Sequence, residues 1–127
     1  YGEERRPGEG GYDTLRAFHQ QKVLHPLSLP GAVDLTADVD FAALKESMGD
    51  RALTFGPVPQ GQFLLRMGIA ERLQRLVQHA SSEEEQRGLV RGFELLIEDM
   101  GERFQVMAVY PPSVEPILEK LKPPGFF

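Results

Sequence analysis

The chain has 127 residues, the length of one domain, with 41% hydrophobic and 26% charged residues. A formal net charge of −5 argues against a nucleic-acid platform, which needs a basic face. The lack of cysteine excludes disulfides, thiol catalysis and cysteine-ligated zinc, and no apolar run approaches the ~20 residues that span a bilayer.

The first residue is Tyr1 rather than Met, which reads as a piece of a longer chain or one from which something was removed. Residues Gly2 to Gly11 are rich in glycine and charge around Pro7 and read as an exposed loop. Tyr12 to Leu24 is mixed, with Leu15, Ala17 and Val23 in short strands. Pro26, Pro30 and Gly31 mark a turn region. An extended segment from Asp34 to Asp40 leads into a helix over Phe41–Met48, where Phe41, Leu44 and Met48 share a face. Asp38 or Asp40 can cap its start, and Gly49 ends it. Ala52–Val58, bounded by Gly49-Asp50 and Pro57, reads as a buried strand.

Gln60–Met67 starts a helix that Gly68 interrupts. Ile69, Leu73, Leu76 and Val77 then mark an amphipathic helix. Ser81 with Glu84 three residues on forms a capping box. Leu89, Phe93, Leu96 and Ile97 repeat the helical spacing, and Gly101 stops the helix. Phe104–Tyr110 is the clearest strand, apolar on both faces, as in a sheet covered on both sides. Pro111-Pro112 ends it, and Ser113–Lys122 can form a last amphipathic helix. The order is mixed, an α/β pattern. It divides into a loop-rich part (1–33), a helix and strand (34–58), a helical stretch (59–101) and a final strand and helix (102–127). So few strands make a poor independent sheet.

Few residues carry chemistry by type and spacing alone. Gly8-Glu9-Gly10-Gly11 is the only glycine cluster. No helical periodicity follows it, so it reads as a loop rather than a phosphate or donor cradle. His19, His25 and His79 lack a second ligand at helical spacing, so no metal site is expected. Asp34, Asp38 and Asp40, with Thr36, form the most informative cluster. On an extended segment a spacing of two places the carboxylates on one side, where they could grip a guanidinium through bidentate, charge-assisted bonds. The other reading is helix capping by one aspartate with the rest solvated. Gly56 to Gly61 is a strand-to-helix turn, the kind of place where ligands gather in open α/β sheets. Arg66, Arg72 and Arg75 read as a solvated face.

Several phrases in one collinear order resemble the later part of the MidA family, the mitochondrial complex I assembly factor 7 family of protein arginine methyltransferases. They are Tyr1-Gly2, Asp13-Thr14-Leu15-Arg16-Ala17-Phe18, Pro30-Gly31, and Asp34-Leu35-Thr36-Ala37-Asp38-Val39-Asp40-Phe41. Gly56-Pro57, Gln60, Phe63-Leu64, Met67-Gly68-Ile69 and Met100-Gly101-Glu102-Arg103-Phe104 follow.

The resemblance implies the C-terminal part of a class I, Rossmann-like, S-adenosylmethionine-dependent methyltransferase with a helical insertion before a final, antiparallel strand. It implies a protein substrate, an arginine of a core complex I subunit, and a mitochondrial location if the source is eukaryotic or a cytoplasmic one if bacterial. By the same analogy Tyr1 and Gly2 are the cofactor-side candidates. Asp34, Thr36, Asp38, Asp40 and Gln60 are the candidates for holding and orienting the substrate guanidinium. The family's glycine-rich donor loop and ribose-binding acid lie upstream of Tyr1, so this chain alone is expected not to bind the donor and to be inactive. The alternative is a truncated, non-catalytic homologue that acts as an interaction module in complex assembly.

Overall fold

A two-residue hairpin loop of type I′, which matches the twist of its strands, requires positive φ at both residues. Gln20 (φ 47°) and Gln21 (φ 64°) adopt it, turning β1 (Arg16–His19) back into β2 (Lys22–Leu24). The computed structural model describes residues 14–127, so the Gly2–Gly11 loop and the Tyr1 and Gly2 candidates lie outside the described residues. The chain separates into two units, Tyr1–Leu44 and Lys45–Phe127.

In the first unit, β1 is the central strand. β2 pairs antiparallel on one side, with Ala17 opposite Leu24. β3 (Asp34–Thr36) pairs antiparallel on the other, with Ala17 opposite Leu35. Ala17 is accordingly fully buried. The crossing from β2 to β3 is tied down by local bonds. Ser28 N donates to His25 O (2.8 Å) and Ala32 N to Leu29 O (3.0 Å). His19 Nδ1 lies 2.8 Å from Ala32 O. Leu15 falls just before β1, whereas Ala17 and Val23 lie in strands as their pattern suggests. α1 (Phe41–Met48) follows, and a 3₁₀ turn over Gly49–Arg51 succeeds it.

In the second unit, β4 (Leu53–Pro59) and β5 (Gln105–Tyr110) pair antiparallel. Phe55 faces Ala108 but Val58 faces Val106, so β4 carries one extra residue at Gly56-Pro57. Gly56 has φ 90°, and a Cβ there would lie 2.6 Å from Val106 O. The side chains of both strands are half-buried for the most part, short of the two-sided cover that their apolar pattern suggests.

Four helices fill the stretch between these paired strands: α2 (Gln60–Arg66), α3 (Ile69–His79), α4 (Glu83–Ile97) and α5 (Asp99–Arg103). Gly68, at φ 82°, makes the break between α2 and α3. The cap of α4 sits one residue later than its sequence pattern. Ser82 Oγ accepts from Glu85 N (3.2 Å), and Glu85 Oε2 accepts from Ser81 N (2.7 Å). Serine and glutamate occur at adjacent positions here, so two registers satisfy the same pattern, and the helix takes the one that leaves Glu83 and Glu84 in its first turn.

Gly101 does not stop a helix. α4 ends at Ile97, and Gly101 lies buried inside α5, against Gly61 of α2. The expected helix over Ser113–Lys122 also contracts. A 3₁₀ turn over Pro112–Val114 leads to α6 (Glu115–Leu118), and the chain then leaves helical form. Pro116 sits in the first turn of α6, where its missing N–H is no loss, and Pro123 and Pro124 lie beyond the end of the helix. The last residues fold back. Pro123 is fully buried, and Phe126 sits with its ring centroid 5.4 Å from that of Phe63 and 6.5 Å from that of Phe55. Tyr110 and Phe127 meet Phe55 edge-on at 5.9 and 6.1 Å. Lys122 Nζ lies 4.8 Å over the Phe127 ring.

Candidate functional site

Side chains alternate across a strand, and residues paired across two strands share a face. Arg16 is paired with Thr36 and Phe18 with Asp34, so these four lie on one face of the three-stranded sheet, opposite the face that buries Ala17. Asp34 and Thr36 are exposed on β3. Neither makes a side-chain hydrogen bond to another described residue.

Beyond the end of β3, Asp38 takes the guanidinium of Arg16. Arg16 Nη1 donates to Asp38 Oδ1 at 2.8 Å and Nη2 to Oδ2 at 3.4 Å. The two side chains are 35% and 20% exposed. A partly exposed pair of this kind contributes on the order of 1 kcal/mol or less, so its main effect is to set the path of the chain between β3 and α1. Asp40 caps α1. Its Oδ1 accepts from Ala43 N at 2.9 Å, and its carbonyl accepts from Leu44 N at 3.1 Å.

The four candidates of this unit thus divide by local chemistry. Asp40 stabilises a helix start, Asp38 already holds a guanidinium, and Asp34 and Thr36 present unengaged acceptors. Arg16 is the residue that spacing alone misses. Its partner lies 22 positions away, and the only signal would have been the pairing of β1 with the weakly patterned β3.

Gln60 belongs to the second unit. Its backbone N donates to Phe104 O (2.8 Å) and its Nε2 to Leu96 O (3.3 Å), so it anchors the start of α2. The turn that precedes it is filled. A Cβ at Gly56 would meet the Phe126 ring at 2.9 Å as well as Val106 O. The described residues of this turn therefore do not fit a donor cradle, whose glycines must leave room for the ligand to approach the backbone. No group of three or more histidines, aspartates or glutamates that could hold a metal occurs among the described residues. No described helix is long and apolar enough to cross a membrane.

Residues 1–58 match the family described as "Putative S-adenosyl-L-methionine-dependent methyltransferase". The chain is 38% identical over 120 residues to the Caenorhabditis elegans "Protein arginine methyltransferase NDUFAF7 homolog, mitochondrial", covering 94% of this chain and 28% of that protein. It is 42% identical over 103 residues to the Xenopus tropicalis protein arginine methyltransferase NDUFAF7, covering 80% of this chain and 24% of that protein. The Homo sapiens counterpart is 38% identical over 101 residues, covering 78% and 23%. The chain spans about a quarter of the length of these curated relatives and aligns with their C-terminal part. The resemblance read from its phrases is borne out along most of its length.

Proposed function

We propose, from the premise that this chain is similar to the C-terminal part of the NDUFAF7 arginine methyltransferases, that it is that segment of an S-adenosylmethionine-dependent protein arginine N-methyltransferase. The reading rests above all on similarity at about 40% identity along most of the chain. The finer points are part of the proposal: a Rossmann-like sheet, the helices between β4 and β5 as an insertion, a mitochondrial location if the source is eukaryotic, and a core complex I subunit as substrate.

The donor, when bound to the full-length protein, supplies the methyl group. The Gly56–Gly61 turn, where Val106 O and the Phe126 ring crowd Gly56, does not suit its cradle. The part of the described residues is to hold and orient the acceptor arginine. A guanidinium delocalises its charge over three nitrogens, and a carboxylate that accepts side-on from Nε and one Nη leaves the other Nη turned outward. Holding that nitrogen in line with the transferred group contributes through proximity and orientation. Asp34 suits this task best, since its carboxylate is exposed and unengaged, with Thr36 beside it as a second acceptor. Asp38 already takes the Arg16 guanidinium end-on, through both Nη atoms, an arrangement that leaves no terminal nitrogen free, so the orienting role falls to Asp34 rather than to Asp38.

In the full-length protein, Asp34→Asn is expected to lower methyl transfer to substrate arginine by about 10–100-fold, the size of a lost charge-assisted bond, with an unchanged far-UV circular dichroism spectrum. Unaltered transfer of labelled methyl would remove the role. The 127-residue chain by itself is expected to give no heat of binding when titrated with S-adenosylmethionine. A measurable affinity would place a donor site within these residues and overturn that part of the proposal.

A further inference from the structure

Phe18 stands in the middle of a row that crosses all three strands of the first unit. Val23 of β2 is its partner on one side and Asp34 of β3 on the other. Residues directly opposite one another in antiparallel strands share a face, with Cβ atoms about 5 Å apart. The row therefore runs from an apolar side chain through an aromatic ring to a carboxylate, over about 10 Å between its outer strands. Val23 is 62% exposed, Asp34 is exposed and Phe18 is half-buried. The Phe18 ring meets no other aromatic ring and no cation among the described residues.

Charge on this face points the same way. Arg16 lies two residues from Phe18 on the same face, and its cation by itself would oppose another. Asp38 offsets it through two bonds. Asp34 makes no ion pair with a described residue, so it leaves a negative charge beside the Phe18 ring.

A carboxylate alone accepts from a guanidinium or from an ammonium. A flat ring next to it favours the guanidinium, which is planar, weakly hydrated and stacks on aromatic faces, over the compact, strongly hydrated ammonium of lysine. The apolar stem of an arginine side chain suits the exposed Val23 end of the row. From this row we infer that Phe18 is a substrate-binding residue that determines specificity. Its ring is the wall on which the acceptor guanidinium stacks, while Asp34 accepts at the guanidinium edge from Nε and one Nη. The inference rests on the reading that Asp34 orients the acceptor arginine, and it adds the group that selects arginine over lysine.

Titration of the full-length protein with L-argininamide and with L-lysinamide, followed by saturation-transfer NMR, tests this. Argininamide is expected to bind more tightly than lysinamide. Phe18→Leu raises the argininamide Kd about fivefold, the scale of a lost cation–π contact, and narrows the preference over lysinamide. Fluorinating the Phe18 ring keeps its shape and weakens its negative face, so the Kd rises with each added fluorine, whether or not Phe18→Leu folds. A loss in Phe18→Leu that fluorination does not reproduce marks a packing role and overturns the inference. So does an argininamide Kd that neither change moves while Asp34→Asn raises it, a result that leaves the reading of Asp34 standing. An Asp34→Asn protein that binds argininamide as the wild type does removes that reading, and the inference with it. Absence of argininamide binding overturns the inference alone, since methyl transfer by Asp34→Asn decides the reading separately.

Discussion

Gly101→Ala is expected to cost the second unit about 2–4 kcal/mol, the scale of overpacking at a site that cannot relax. Gly101 of α5 and Gly61 of α2 are both buried. A Cβ on Gly101 would lie 2.9 Å from Leu96 O and 3.1 Å from Gly61 Cα. A Cβ on Gly61 would lie 2.8 Å from Ile97 O and 3.2 Å from Gly101 Cα. The obstacles are backbone atoms, which cannot swing aside as a long side chain can. Relief requires α2 and α5 to separate, and Gln60 would then lose its bonds to Phe104 O and Leu96 O.

Helix propensity acts in the opposite direction, favouring alanine by about 1 kcal/mol. Gly88→Ala therefore serves as the control, because its added methyl meets nothing within 4 Å, and it should stabilise α4. Urea unfolding followed by far-UV circular dichroism distinguishes the two, and suits a chain without tryptophan. If Gly101→Ala stabilises as Gly88→Ala does, the close crossing of α2 and α5 is wrong.

Gly125→Ala should release the C-terminal residues and lower stability by a further amount of about 2–4 kcal/mol. Two penalties coincide there. Gly125 has φ 81°, a left-handed conformation that an L side chain adopts at a cost. A Cβ would also fall 2.4 Å from both Cδ2 and Cε2 of Phe63. The Phe63 ring packs against the Phe126 ring, so the clash passes into the aromatic cluster. Phe126→Ala reaches the same end by a different route, removing the ring that touches both Phe55 and Phe63, at about 2–3 kcal/mol for a half-buried phenylalanine. The near-UV circular dichroism of the tyrosine and phenylalanine rings should fall in both variants. An undiminished signal with an unchanged urea midpoint in Gly125→Ala would mean that the tail does not pack on Phe63.

The difference between these two glycines and the rest shows how far residue types can be read. Gly68 and Gly101 each follow an apolar helical pattern and look alike as helix stops. Gly68 breaks a helix with positive φ, whereas Gly101 sits inside one, where the lack of a side chain admits another backbone. Only the neighbour across space separates the two cases. In the same way Gln20-Gln21 does not announce a tight hairpin, because glutamine is not the residue that favours positive φ. The strands it joins are short, and pairing on both sides of β1 outweighs the local preference.

The aspartates divide along the same line. A cap on α1 was legible at Asp38 or Asp40, since an aspartate before an apolar periodic run satisfies free N–H groups. That Asp40 takes the role while Asp38 turns to Arg16 depends on where β3 ends and on which residue of β1 stands opposite Thr36.

What the amino-acid sequence determined by itself was the order of apolar periods, hence α1, α3, α4 and the β4 and β5 segments, and the similarity to a methyltransferase family. Both are properties of residue types in linear order. What tertiary structure alone decided was the register of β1 with β3, the Arg16–Asp38 pair, the Gly61–Gly101 crossing and the return of Phe126 onto Phe55 and Phe63. Each of these joins positions far apart in the chain, and their energies arise from shape and charge meeting across that distance, which no local pattern encodes.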